Sequence, residues 1–254
     1  KTTMRGMMAL CCGAATAMAG VKATQEGLRV QSGRTGYTLG YPVFQEAAGD
    51  KAYKPVETKA EGGVVRLRYQ DGASVEVTVK PSGEVQLQPK NLPGSWKRFK
   101  MTSMLGFALA EGGTFAVDGG DAKPFPAAKP SGPMLHQGAA KSLTLTSGEG
   151  DAVTFRFPQH AYLQIQDNRE WGWKMFQFYI QCPYNRDWGA IKLSLAAGRD
   201  EAAAAARPTV RVDELGQNAL MDWPLKAKSV DELKADAATE EAYYAGLAAG
   251  APAL

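Results

Sequence analysis

The sequence predicts an all-β protein: a two-sheet antiparallel β-sandwich, jelly-roll-like, with one C-terminal helix. Three features carry the prediction. Twenty-eight glycines and 14 prolines in 254 residues supply more turn formers than a helical bundle tolerates. Apolar residues recur at every second position through much of the chain, with turn residues between the runs. No helical periodicity interrupts these segments, which argues for packed antiparallel sheets rather than a helix-covered parallel one.

The stretch 64–88 shows the pattern most clearly. Val65, Leu67 and Tyr69 alternate with Arg66 and Arg68 before Asp71-Gly72 offers a hairpin turn. Val75, Val77 and Val79 alternate with Glu76 and Thr78, and Pro81-Ser82-Gly83 offers the next turn before Val85 and Leu87. The result is a meander with one buried face. Further strands are expected at Leu28–Val30, Tyr37–Phe44, Phe99–Leu105, Thr114–Val117, Leu143–Thr146 and Val153–Phe157. Others follow at Tyr162–Gln166, Trp173–Gln181, Ile191–Leu195 and Val210–Val212. Gly119–Gly138, with Pro124, Pro126, Pro130 and Pro133, reads as a long loop. Toward the end, Ser229-Val230-Asp231-Glu232 forms a capping box, and Leu233, Ala237, Tyr244 and Leu247 recur near helical spacing until Gly250 and Pro252.

The first 19 residues follow a different grammar. Lys1 and Arg5 precede the uncharged run Met7–Ala19, and Ala15-Thr16-Ala17 and Ala17-Met18-Ala19 offer cleavage signals. Residues 1–19 are therefore expected to be a secretory signal peptide and the protein to be secreted or periplasmic. The sandwich is then expected over 20–212 and a junction segment with its helix over 213–254. Processing removes Cys11 and Cys12 and leaves Cys182, which follows an apolar strand and reads as a buried thiol.

Charge excludes some functions. Twenty-nine basic against 26 acidic residues give +3 with no basic run, which argues against a nucleic-acid partner. No stretch of apolar residues is long enough for a helical membrane span.

The richest segment runs from Tyr162 to Trp188 and holds three of the five tryptophans. Strand alternation sends Phe176, Phe178 and Ile180 to one face and Trp173, Gln177, Tyr179 and Gln181 to the other; Lys174 and Met175 break the pattern at its start. In the neighbouring segment Leu163 and Ile165 oppose Tyr162, Gln164 and Gln166. A face of rings and carboxamides suits carbohydrate: aromatic faces accept the C–H patch of a pyranose, and amides donate to and accept from its hydroxyls. Tyr162, Gln164, Gln166, Trp173, Gln177 and Tyr179 are the candidate carbohydrate-binding residues, with Arg169, Glu170 and Lys174 as nearby charges. The same composition also suits an interdomain contact, or simple cover by the 119–138 loop or the C-terminal helix.

Catalytic motifs are scarce. There is no G-x-S-x-G, P-loop or H-E-x-x-H. His136 and His160 read as loop histidines, and Asp167, Glu170 and Asp187 are the acids from which a hydrolytic pair could be drawn. Asp118, Asp121, Asp167 and Asn168 offer oxygens for a structural calcium, though no EF-hand loop is present; no other cofactor is suggested.

Asp213-Glu214-Leu215-Gly216-Gln217, then Asp222-Trp223-Pro224 and Lys226, ahead of the capped helix at 229, resemble a junction in large secreted glycoside hydrolases of the agarase and β-galactosidase-like type. There an N-terminal β-sandwich meets the catalytic (β/α)₈ barrel. The resemblance covers the last third of the chain by motif, and Leu215 stands where an aromatic is expected. It implies an accessory, non-catalytic sandwich whose partners are a polysaccharide and a glycoside hydrolase catalytic domain. Asp213, Gly216, Gln217, Trp223 and Pro224 would be junction residues, and the barrel would begin beyond Leu254.

Two other function classes stay open. One is a β-sandwich polysaccharide lyase or hydrolase in its own right, using His160 or a Tyr/Arg pair, which a cluster of His160, Arg169 and Tyr162 around one cleft would favour. The other is a protein-interaction module using the aromatic face.

Overall fold

A computed structural model describes residues 20–46 and 51–205 of the 254. The chain divides between Ala206 and Arg207 into two units, and the described residues belong to the first. The expected leader over 1–19, the strand at Val210–Val212, the junction motif and the helix after Ser229 lie outside the described residues.

In chain order the strands begin with β1 (Gly20–Ala23), β2 (Gly27–Ser32), β3 (Thr35–Gly40), β4 (Val43–Glu46) and β5 (Ala52–Tyr53). The meander follows as β6 (Glu57–Glu61), β7 (Val64–Arg68), β8 (Ser74–Val79) and β9 (Glu84–Lys90). Then come β10 (Trp96–Gly106), β11 (Thr114–Val117), β12 (Lys123–Pro124), β13 (Met134–Ala139) and β14 (Ser142–Thr146). The series ends with β15 (Asp151–Arg156), β16 (Tyr162–Asp167), β17 (Met175–Pro183) and β18 (Ile191–Arg199), followed by the short helix α1 (Glu201–Ala205).

All strand pairs are antiparallel. One sheet has nine strands in the order β12-β11-β14-β15-β18-β9-β8-β7-β6, and a second has six in the order β13-β16-β17-β10-β4-β5. The N-terminal strands β1, β2 and β3 make a third, three-stranded sheet, which corrects the expected two-sheet arrangement: β3 pairs with β2 and leaves the six-stranded sheet to begin at β4. Together they form an all-β, sandwich-like arrangement.

Alternation determines what each large sheet buries. In the nine-stranded sheet Val65, Leu67, Val75, Val77, Val85, Leu87, Val153, Phe155, Leu193 and Leu195 all point inward. In the six-stranded sheet Phe44, Phe99, Met101, Leu105, Leu163, Ile165, Phe176, Phe178 and Ile180 do the same. The two sets form one continuous core, each large side chain contributing about 1.5–3 kcal/mol on burial. Rings join the sheets: Phe155 meets Phe178 edge-on at 5.0 Å and Phe44 meets Tyr69 at 5.3 Å between centroids.

The meander forms as its alternation predicts. At the turn from β7 to β8 Asp71 and Gly72 sit consecutively at φ 58° and 73°. Two adjacent left-handed residues are what a tight hairpin needs, and Asp-Gly tolerates them at low cost.

Three further expectations need correction. Tyr37–Phe44 is two strands, because Tyr41-Pro42 separates β3 from β4 and each joins a different sheet. The expected loop 119–138 contains β12 and most of β13, an edge strand of the six-stranded sheet, so His136 is a strand residue. Four prolines hide both strands; Pro124 is itself the last residue of β12, at a sheet edge where a missing N–H is tolerated. Finally, Trp173 precedes the strand it was assigned to, since β17 begins at Met175.

Candidate functional site

The outer face of the six-stranded sheet is built around β16 and β17. Their register pairs Leu163 with Ile180 and Ile165 with Phe178 on the inner side. On the outer side it pairs Tyr162 with Gln181, Gln164 with Tyr179 and Gln166 with Gln177. The predicted segregation of the two faces therefore exists: Phe176, Phe178 and Ile180 are fully buried, whereas the glutamines and Tyr179 are half-exposed.

Neighbouring strands widen the surface. From β10, Lys100, Thr102 and Met104 stand opposite Gln181, Tyr179 and Gln177. From β13, Met134 and Gln137 stand opposite Gln166 and Gln164. Residues three apart on a regular strand would face opposite ways. A bulge between Met134 and His136 re-phases β13 and brings both onto the outer face.

The outer side chains bond to one another. The Tyr179 hydroxyl donates to Gln164 Oε1, and Gln164 Nε2 lies 2.7 Å from Met134 Sδ. Gln166 Nε2 donates to Asn168 Oδ1 at 2.8 Å, Asn168 Nδ2 donates to Gln177 Oε1 at 3.3 Å, and Gln181 Nε2 donates to Gln45 Oε1 at 2.9 Å. Side-chain hydrogen bonds of this kind hold the amides in place before any ligand arrives. The Lys100 ammonium rests 3.7 Å from the centre of the Tyr179 ring. Partial burial lowers the Lys100 pKa, and burial followed by the nearby Tyr162 raises that of Tyr179.

The turn from β16 to β17 completes one end of the face. Asp167 caps it by accepting the Arg169 amide at 3.0 Å, and Gly172 ends it at φ 81°, a left-handed conformation glycine adopts freely. Trp171 and Trp173 project from this turn, 54% and 58% exposed. Tyr162 at 41%, Met104 at 46% and Met134 at 39% lie on the sheet itself. Thus five of the six exposed large apolar side chains among the described residues belong to this one face and its end turn, with Val56 the exception.

Of the candidate carbohydrate-binding residues, Tyr162, Gln164, Gln166, Gln177 and Tyr179 share the sheet surface, while Trp173 stands at its end. Lys100, Thr102, Met104, Met134 and Gln137 were missed. The alternation of β10 was visible, with Phe99, Met101 and Leu105 inside, but nothing local shows that β10 pairs with β17. Met104 and Met134 also look like core residues in sequence.

The candidate charges have other occupations. Arg169 grips Asp167 and also donates to the carbonyls of Ala127 and Pro126 at 2.7 and 2.9 Å. Glu170 pairs with Lys129 at 2.9 Å. Tyr162 begins β16 and Arg169 follows its end, roughly 17 Å or more away at strand rise. Tyr162 and Arg169 therefore do not share one cleft with His160, and the cluster that would favour the lyase alternative does not form. Asp167 and Asp187 flank opposite ends of β17, too far apart to act as a hydrolytic pair. Asp118, one of the calcium candidates, accepts the amides of Lys141 and Ser142 at 2.7 Å each. Among the described residues no three His, Cys, Asp or Glu side chains gather as a metal site. No described helix is long and apolar enough to cross a membrane.

No family model and no curated protein matches the chain. Among solved structures it is similar to a GH31 family sulfoquinovosidase from E. rectale, at 9% identity and a TM-score of 0.37, covering 70% of this chain and 32% of that one. It is also similar to the GH92 inverting mannosidase from Bacteroides thetaiotaomicron VPI-5482, at 8% identity and a TM-score of 0.39, covering 89% of this chain and 31% of that one. The chain spans about a third of the length of each.

Proposed function

We propose that the chain is an exported, non-catalytic accessory module, built on a jelly-roll-like scaffold, that holds polysaccharide on the outer face of its six-stranded sheet. Its setting is a glycoside hydrolase that degrades that polysaccharide. One observation carries the binding reading. The exposed rings and methionines of the described residues concentrate on a single sheet face and its end turn, beside glutamines already held by side-chain hydrogen bonds. The other large sheet behaves as an ordinary solvent face: Glu57 pairs with Arg68, and Glu76 with Arg66 and Lys90. The hydrolase setting draws on the junction motif around Trp223-Pro224, and export draws on the leader grammar of residues 1–19.

Affinity electrophoresis tests this. The wild-type protein is expected to be retarded in at least one polysaccharide gel, and Trp173→Ala and Tyr162→Ala to run faster in that gel with unchanged thermal melting. Equal mobility of all three proteins across a broad glycan panel would overturn the reading. Met104 and Met134 favour a second reading, docking against a catalytic barrel, because flexible thioethers suit a protein interface. That reading predicts no retardation in any gel.

A further inference from the structure

The outer face carries at its centre a lysine that pairs with no acid among the described residues. Lys100 lies in mid-sheet on β10, opposite Gln181 on β17 and Val43 on β4. Its ammonium sits on the Tyr179 ring, half withdrawn from water. Nearby acids are engaged elsewhere: Glu46 accepts the Tyr53 hydroxyl, Asp167 points inward to Arg169, and Glu170 pairs with Lys129. Among the described residues no carboxylate pairs with Lys100. Three lysines on or beside the strands of the opposite sheet contrast with it: Lys59, Lys80 and Lys90 each lie within 3.1 Å of a glutamate oxygen.

A partly dehydrated cation without a counter-ion gains more from an arriving anion than a fully solvated one, because much of its desolvation cost is already met. The Tyr179 ring holds the ammonium through its π face, which leaves N–H bonds of Lys100 for a ligand. The glutamines beside it bond hydroxyls but neutralise no charge.

We propose that Lys100 makes this face selective for acidic glycans, placing an anionic oxygen of the sugar, a uronate carboxylate or a sulfate ester, against its ammonium. The inference rests on the carbohydrate reading above and specifies its ligand class. Tyr162, Tyr179 and the glutamines hold the sugar rings, and Lys100 discriminates between charged and neutral chains.

Titration calorimetry at about 0.15 M salt, where long-range attraction is screened, tests it with a neutral galactan, polygalacturonate and carrageenan. One or both acidic polymers are expected to bind about tenfold more tightly than the neutral one. Polygalacturonate and carrageenan separate the carboxylate from the sulfate source. Lys100→Gln should remove that margin, and Lys100→Arg should restore it. Lys192→Gln, on the outer face of the nine-stranded sheet, removes the same charge and should have no effect, which separates a specific contact from general attraction to a chain of pI about 8.7. Equal binding of neutral and acidic polymers, or equal losses for the two glutamine variants, overturns the charge selection. In that case sensitivity to Trp173→Ala still upholds carbohydrate binding. Binding of no polymer at all sinks both proposals.

Discussion

Arg169 and Asp167 face each other side on. Nε of the arginine lies 2.9 and 3.1 Å from the two carboxylate oxygens, and the same guanidinium reaches back to the backbone of Pro126, Ala127 and Ala128. It also rests over the Phe107 ring at 4.7 Å. A residue that looked available for a ligand instead ties the proline-rich segment to the turn carrying Trp171 and Trp173. The pair thus supports the candidate face without belonging to it.

Replacing Arg169 should therefore cost stability. Arg169→Ala leaves Asp167 buried without its partner and is expected to lower unfolding free energy by about 3–5 kcal/mol, read from urea denaturation. The double variant Asp167→Asn with Arg169→Met removes both charges and should recover part of the loss. A single-variant loss below 1 kcal/mol would show that water reaches the pair.

The same pair predicts an acid limb. Burial alone would raise the Asp167 pKa, but the bonds from the Arg169 side chain and amide outweigh it and hold the group below its ordinary value. A carboxylate depressed by folding stabilises the protein above its unfolded pKa of about 3.9, and that contribution fades as pH falls through the lower folded value. Urea midpoints should thus fall as pH drops below about 4, and Asp167→Asn should flatten the fall. An unchanged slope in that variant would assign the acid limb to other carboxylates.

Cys182 closes the inner face of β17, 1% exposed, and burial pushes its pKa up to about 12. Thiolate is the reactive form, so native protein should resist alkylation of Cys182 at pH 8, whereas urea-unfolded protein should be labelled promptly. Peptide mapping by mass spectrometry distinguishes this site from Cys11 and Cys12. Equal labelling with and without urea would mean that β17 opens readily.

Much of the fold was legible because strand alternation is a local signal. Residues 64–88 alternate over their whole length, and the hairpin turns between them need particular residues, so the meander could be read directly. The two faces of β16 and β17 were legible for the same reason. The edge strand β13 was not, because the prolines before it and Gly138 within it mimic a loop and its bulge breaks the period of two. Trp173 was assigned to a strand because aromatic spacing continues into the turn, whereas its amide bonds back to the Asn168 carbonyl at 3.1 Å, a contact that depends on backbone geometry.

Sequence by itself determined which side chains each strand turns inward, since alternation follows from the backbone pleat and needs no partner. Only the tertiary structure decided which strands became neighbours. Pairing β10 with β17, 69 residues apart at the start of their register between Gly106 and Met175, placed Lys100 beside Tyr179 and Met104 beside Gln177. Pairing β13 with β16 added Met134 and Gln137. Hydrogen bonding between strands is blind to side-chain identity. The neighbours are selected by burial of the whole core, a property no single segment carries.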